Sequence, residues 1–402
     1  MKRTLLFGAS RSTGLIAAGT GLIAVTYGLV RLAYGLFLPD VQADLGLGTS
    51  TAGYVASGAS GAYCLGAVAG FLGASRPRAV VVAAGACAAI GSLGMAAAPG
   101  VPVFAVSCVV GSAAAGLASP ALVRLVALNI APDRQDRAQS TVNSGTGAGL
   151  VVAGLLALVL LPQWRIAWLL VAGLALAVTA AVLRLDRGQA HPVRDEDVPS
   201  PPGRSWFRAH RHLVVAAFAM GAGSAAVWNY GRTLLTDAGA SHRSSVLAWV
   251  ALGVGGAVVI GTTWALGRLG PARSWALTTL AAAGGSAALA VAPQAAVIAL
   301  VACGLFGWGF TAATGVLIAW TSRIDPARSP VGTSLLFVVL VLGQACGAAV
   351  TGMVAARAGF PAAFLTAAAV LVLASLLPTL VPSVRPWGPP ESDQRHVRAT
   401  TY

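Results

Sequence analysis

The chain has 402 residues, of which 57% are hydrophobic and only 9% charged. A soluble domain is roughly a quarter charged, so this composition leaves too little polar surface to keep a globule in water. The net charge of +14 would suggest nucleic acid in a soluble protein; here it is read as arginine-rich loops beside anionic lipid, with no nucleic-acid partner.

The charges cluster in short segments such as Asp133-Arg134-Gln135-Asp136-Arg137 and Arg194-Asp195-Glu196-Asp197. Between the clusters lie apolar runs of roughly 20 residues, the length that crosses about 30 Å of hydrocarbon. A β-barrel would instead show segments of about ten residues with alternating polarity, and none appear. The predicted class is therefore all-α, a polytopic membrane protein of 12 transmembrane helices.

In chain order the first six helices are placed at 14–38, 52–72, 79–97, 101–128, 138–161 and 164–183. Lys2, Arg3 and Arg11 precede the first span in the manner of a secretory signal. The apolar stretch is too long for a signal core and lacks an evident cleavage site, so it is read as a helix. Residues 184–211, with Pro192, Pro199, Pro201 and Pro202, read as a polar linker. The second six helices fall at 213–235, 245–266, 274–291, 295–320, 331–356 and 361–380. Residues 1–183 and 212–382 are thus expected to form two six-helix bundles, with 383–402 a disordered cytoplasmic tail.

Arg76, Arg78, Arg134, Arg137, the arginines of 184–211, Arg268, Arg273, Arg323, Arg328, Arg385, Arg395 and Arg398 all fall to one side. The other side offers Arg165, Arg243 and Arg357. The positive-inside bias puts both termini and the linker in the cytoplasm, as for a multi-pass protein of a bacterial inner membrane. Cys64, Cys87, Cys108, Cys303 and Cys346 lie inside apolar runs without a CxxC pair, and the five histidines lie outside the spans or at their margins. Neither a disulfide framework nor a metal site is expected. No P-loop, H-E-x-x-H or G-x-S-x-G occurs, and Gly145-x-Gly147-x-Gly149 opens no βαβ unit. No cofactor and no enzymatic activity are expected.

The halves repeat at an offset of about 195 residues, far longer than a solenoid unit. Gly70, Leu72, Gly73, Arg76 and Ala79 spell G-x-L-G-x-x-R-x-x-A, and Gly267, Leu269, Gly270, Arg273 and Ala276 spell it again. Ile130, Pro132 and Arg134 answer Ile324, Pro326 and Arg328; Tyr34-Gly35 answers Tyr230-Gly231. Trp164-x-x-Ala167-Trp168 answers Phe360-x-x-Ala363-Phe364. Two such halves resemble the parallel-repeat plan of the major facilitator superfamily, whose substrate site lies between the halves. The segment Tyr27 to Pro39, with Asp44-Leu45-Gly46-Leu47 and Ala52-Gly53, resembles the first-helix signature of its YbfB/YjiJ-like bacterial members. The loop after the second helix has Gly70, Gly73 and arginines but no Asp. The fifth helix has Gly145, Gly147, Gly149 and Gly154 but no proline, so the drug/proton antiporter motif is not met.

Charge inside a bilayer is costly and usually functional. Arg31, Arg124 and Arg232 fall well inside predicted spans, whereas no Asp or Glu does. These spans, the first, fourth and seventh, line the central cavity in the resembled fold. Tyr27, Arg31 and Tyr34 share one helical face, at i, i+4 and i+7. A stripe of Gly14, Gly21, Gly28 and Gly35 beside it suits close packing against a neighbouring helix. Further candidates are Asn143, Trp228, Asn229, Tyr230, Trp308, Thr311, Thr314 and Gln344. Asp40 is the one carboxylate expected near the outer mouth, with a proton the coupling ion to consider. The expectation is a monomeric transporter of a small organic solute, anionic because arginines face no membrane carboxylate. Efflux of apolar drugs or natural products is the alternative within transport; a polytopic membrane enzyme would need clustered nucleophiles, carboxylates or metal ligands, which are not found.

Overall fold

The computed structural model describes residues 2–186 and 202–377, helical almost throughout and without a strand among them. The first span is a composite: α1 (Lys2–Ile23), a π-helical segment (Ala24–Leu32) and α2 (Tyr34–Leu45). It outruns the expected 14–38 because Pro39 sits inside the helix, which ends only at Gly46. Gly46 takes φ 65°, a left-handed cap that favours glycine, and its N–H bonds Gln42 O at 3.0 Å. Then follow α3 (Thr49–Leu72), α4 (Pro77–Ala96), α5 (Val101–Asn129), α6 (Pro132–Asn143), α7 (Gly145–Leu160) and α8 (Trp164–Leu185). The expected fifth span is α6 and α7 together, broken at Ser144 and begun earlier than expected, on the polar turns from Pro132.

After the described residues resume come α9 (Arg204–Asp237), α10 (His242–Leu269), α11 (Pro271–Val291), α12 (Ala296–Ile324) and α13 (Ser329–Leu376). Eleven of the described helical stretches are long and apolar enough to cross a bilayer, the last being Pro326–Leu376 at 51 residues. That is about twice the length of one crossing. Gly359, at φ 84°, breaks it into two helices, which gives twelve crossings. Side chains on the outside match this reading, with Ile260 82%, Val159 79% and Leu65 74% exposed.

The expected linker needs correction at its ends, while 187–201 and the expected tail at 383–402 lie outside the described residues. Arg184 and Leu185 close α8, and Arg204–Arg211 form the first turns of α9. These polar turns stay helical because one face is buried. Trp206 stacks on His210 at 3.9 Å, and His210 donates from Nδ1 to Trp206 O at 2.9 Å. The His210 Nε2 meets Thr321 Oγ1 at 2.8 Å, so this fully buried histidine lies inside a helix, not at a margin.

Helices before Asp186 pack chiefly on one another, as do those after Pro202. Within each set glycines let backbones touch. A Cβ on Gly28 would lie 2.5 Å from Gly149 Cα, on Gly307 2.0 Å from Leu252 O, and on Gly221 1.9 Å from Leu340 O. The sets meet through α2 on α9, α3 on α13 and α7 on α10. The repeat positions answer in space too. Pro132 and Pro326 begin helical turns, and Trp164, Trp168, Phe360 and Phe364 are buried at the starts of the last helix in each set.

Candidate functional site

The two sets of helices are tied together from mid-height to the end of the bundle away from the arginine-rich turns. Tyr230 Oη donates to Thr49 O at 2.9 Å, and Ser50 Oγ to Gly352 O at 3.5 Å. Gly35 lies against Trp228 O and Gly53 against Ala348 O, where a Cβ would come to 2.0 and 2.6 Å. Arg232, 3% exposed, forms an ion pair with Asp40 and donates to Leu36 O at 2.6 Å and Ser245 Oγ at 3.2 Å. His242 Nδ1 lies 3.3 Å from its Nη2. The partner of Arg232 is therefore Asp40 on the first span, while Asp237, five residues along its own helix, is exposed.

Deeper, the π-helical segment positions Arg31. Its Nη2 donates to Gln344 Oε1 of α13 at 2.8 Å, and its guanidinium carbon lies 4.6 Å from the centroid of the Tyr63 ring. Such a cation–π contact contributes about 0.5–2 kcal/mol. Tyr63 Oη is 3.0 Å from Tyr27 Oη, and the two rings meet edge to face at 5.7 Å. Gln344 Nε2 reaches Ser224 Oγ of α9 at 3.5 Å. Arg31, Tyr27, Tyr63, Gln344 and Ser224 thus form one cluster spanning both sets of helices. A guanidinium there faces phenols and an amide, with no carboxylate among its described partners.

The expected face of Tyr27, Arg31 and Tyr34 is corrected in one member. Tyr34 is 5% exposed, donates to Ala52 O at 2.9 Å and packs on Phe104, away from the cluster. The i, i+4, i+7 argument assumes α-helical rotation, and the π segment between Tyr27 and Tyr34 breaks it. The second phenol at Arg31 comes from Tyr63 of α3, which the sequence did not single out; a lone tyrosine in an Ala/Gly-rich span gives no periodic signal. The glycine stripe also turns: Gly14 and Gly21 meet Leu185 and Val178 of α8, Gly28 meets α7, and Gly35 meets α9.

Other expected residues lie apart from the cluster. Arg124 is half-buried on α5 with no hydrogen bond or ion pair among the described residues. It lies one turn beyond Pro120, which meets Gly70 of α3. Asn143 is exposed at the end of α6 and accepts from Gln139 Nε2 at 3.2 Å. Trp228 packs with Trp249, Phe306 and Phe310, and Asn229 bonds its own helix at Ala225 O. Trp308 Nε1 donates to Thr262 Oγ1 at 2.9 Å, Thr311 faces Gly256 of α10, and Thr314 bonds Thr311 O at 2.7 Å.

The duplicated loop motif sits at two turns of the arginine-rich end. Pro77 and Pro271 start the following helices, Gly270 takes φ 76°, and Arg76 and Arg273 are exposed. Gly70 and Gly73 pack on Pro120 and Val80; around Gly267 space is open. Beside the first copy, which has no Asp, lies Asp186, just after α8. Arg78 Nη1 meets its Oδ2 at 2.9 Å, and Asn129 Nδ2 its Oδ1 at 2.8 Å. The five cysteines are free, and no group of three metal-ligating side chains occurs among the described residues.

The sequence profile of the Major Facilitator Superfamily matches residues 20–329. No curated protein matches the chain. Among solved structures, the nucleoside transporter NupG superposes with TM-score 0.73 at 15% identity, over 91% of this chain and 97% of that one. A D-xylose–proton symporter gives 0.70 at 16% identity, over 92% and 98%. A bacterial homolog of the human lysosomal transporter Spinster gives 0.70 at 14% identity, over 93% and 95%. Likeness at such identities shows the fold alone. The profile covers most of the chain, the helical fold is the one these transporters share, and the chain belongs to the major facilitator superfamily.

Proposed function

We propose that this protein carries a small organic anion across a bacterial inner membrane by alternating access, with Arg31 as its principal substrate contact. The observation that carries the reading is the Arg31 cluster: a cation at mid-height between the two sets of helices, set on Tyr63 and held by neutral Gln344. Placing an arginine there costs several kcal/mol unless an anion repays it. A planar guanidinium set on a phenol ring binds a carboxylate through two parallel N–H donors, and an ammonium does not replace it. The helices up to α8 and those from α9 onward rock as two bundles, and both termini and the arginine-rich turns face the cytoplasm. In this reading Asp40–Arg232, Tyr230–Thr49 and Gly53–Ala348 close the outer mouth, and the resting cavity opens inward. Proton coupling is consistent with this chemistry, Asp40 being the carboxylate between the bundles.

The test is solute uptake into proteoliposomes from a panel of organic anions, with folding checked by size-exclusion profile. Arg31→Lys is expected to fold and to lose most transport. Wild-type uptake by a well-folded Arg31→Ala would remove Arg31 from the site.

A further inference from the structure

We infer that Gln344 Oε1 takes, against Arg31, the place that one oxygen of a substrate carboxylate would take, and that the substrate is a monocarboxylate without an ammonium group. The inference rests on the reading of Arg31 as a substrate contact. Gln344 is 6% exposed, and its amide is used unevenly. Oε1 accepts from Arg31 at 2.8 Å, whereas Nε2 reaches Ser224 Oγ only at 3.5 Å, the outer limit of a hydrogen bond. The stronger contact is spent on a cation belonging to the other set of helices.

An amide oxygen offers Arg31 one neutral acceptor. A carboxylate offers two oxygens and a full charge, and charge-assisted bonds are roughly twice as strong. An arriving carboxylate therefore displaces the amide from Arg31 Nη2. The released amide turns about its terminal torsion and presents Nε2, a donor, to the second carboxylate oxygen. The substrate then bridges Arg31 of the first bundle and Gln344 of the second, and the direct tie between them is gone. Binding is thereby coupled to the loss of one contact that holds the halves in their present relation.

The rest of the cluster limits what else the substrate can carry. Tyr27 and Tyr63 offer phenols and ring faces but no charge. The described carboxylates paired with arginine are engaged elsewhere: Asp40 with Arg232, Asp44 with Arg165, Asp133 with Arg134, Asp186 with Arg78, Asp325 with Arg328. Asp133 and Asp237 are exposed at helix ends. An ammonium group beside Arg31 would be buried next to a like charge without a counter-ion. A second carboxylate would find no free cation in the cluster, since Arg232 is committed to Asp40 and Arg124 makes no contact with it.

Wild type, Arg31→Ala, Gln344→Ala and Gln344→Glu are compared by thermal unfolding and by calorimetric titration with benzoate and hexanoate, with benzamide and phenylalanine as controls. Millimolar benzoate or hexanoate is expected to raise the wild-type Tm, and neither control to do so. Gln344→Glu places a permanent carboxylate on Arg31: without ligand it should melt above wild type, and added carboxylate should not shift it. Gln344→Ala should still respond, with Kd weakened about tenfold by the lost donor. An Arg31→Ala protein that responds like wild type overturns the reading of Arg31 itself. Loss of response in Arg31→Ala, with a wild-type response in Gln344→Glu, overturns only the displacement. Gln344→Glu no more stable than Gln344→Ala also overturns it. An equal response to phenylalanine, or none to either monocarboxylate, overturns the substrate class.

Discussion

Neutralising Asp40 tests what holds the two bundles shut at the end away from the arginines. The Arg232 side chain is 2% exposed and that of Asp40 13%, so the pair is largely dry. Removing one partner of a buried pair outright costs about 3–5 kcal/mol, because the other charge is left uncompensated. Asp40→Asn is milder: it keeps a carbonyl oxygen, and Arg232 keeps Leu36 O, Ser245 Oγ and His242. About 2 kcal/mol is then the loss expected of one hydrogen bond to a charged group. Both groups regain water when that end opens, so the loss falls on the closed conformer alone. The closed-to-open ratio should fall roughly 30-fold. Ser50, half-buried beside Gly352 O where the bundles meet, is the reporter. Ser50→Cys, in a background lacking the five native cysteines, is labelled in detergent with a water-soluble maleimide. While the closed form dominates, the rate follows the open population, and Asp40→Asn should raise it by about that factor. An unchanged rate in a protein of unchanged Tm would refute the claim that this ion pair holds the end closed.

Gly28→Ala and Gly53→Ala separate packing within a bundle from packing between bundles, since the new Cβ atoms would lie 2.5 Å from Gly149 Cα and 2.6 Å from Ala348 O. The first should lower Tm, at a cost of about 1–3 kcal/mol, while the second should mainly speed labelling at Ser50→Cys; the reverse pattern would contradict the assignment of contacts. Tyr34→Phe should keep uptake and lose about 1 kcal/mol of stability with its bond to Ala52 O, whereas Tyr63→Leu should lose uptake. On intact cells an impermeant maleimide should label Gly239→Cys, and Ala131→Cys only after permeabilisation; ready labelling of Ala131→Cys would invert the topology.

The twelve crossings were legible because a lipid-embedded helix must be apolar along its whole length. Composition therefore marks each span directly, and the motifs around Gly70 and Gly267 mark the duplication. Span ends were less legible where polar residues are helical for tertiary reasons. Trp206 and His210 hold the first turns of α9 against α12 through Thr321, a partner over a hundred residues away. Arg31 was found by the cost of its charge, and Gln344 by its polarity within a span. Neither their pairing nor Tyr63 could be read, because contacts between helices leave no local period. Asp186 was missed for the same reason: it serves the loop of Arg78 from the far end of another helix.

The first span shows why a regular sequence pattern misleads at the site itself. In a straight α-helix each residue advances roughly 100°, and a seven-residue spacing drifts only about 20° per repeat. Gly14, Gly21, Gly28 and Gly35 should then face one neighbour. Instead the first two meet α8, Gly28 meets α7 and Gly35 meets α9 of the other bundle. The π-helical segment Ala24–Leu32 lies within this change of neighbour, and its wider turns advance each residue by less than an α-helix does. The lag separates three duties along one span. Gly28 packs inside its own bundle, Arg31 is presented to Gln344 at mid-height, and Leu36 and Asp40 meet Arg232 where the bundles close. With uninterrupted α-helical rotation, Arg31 and Tyr34 would share a face and compete for the same space. The irregular turn lets a buried cation face the other bundle while the tyrosine one turn later stays in the core of its own.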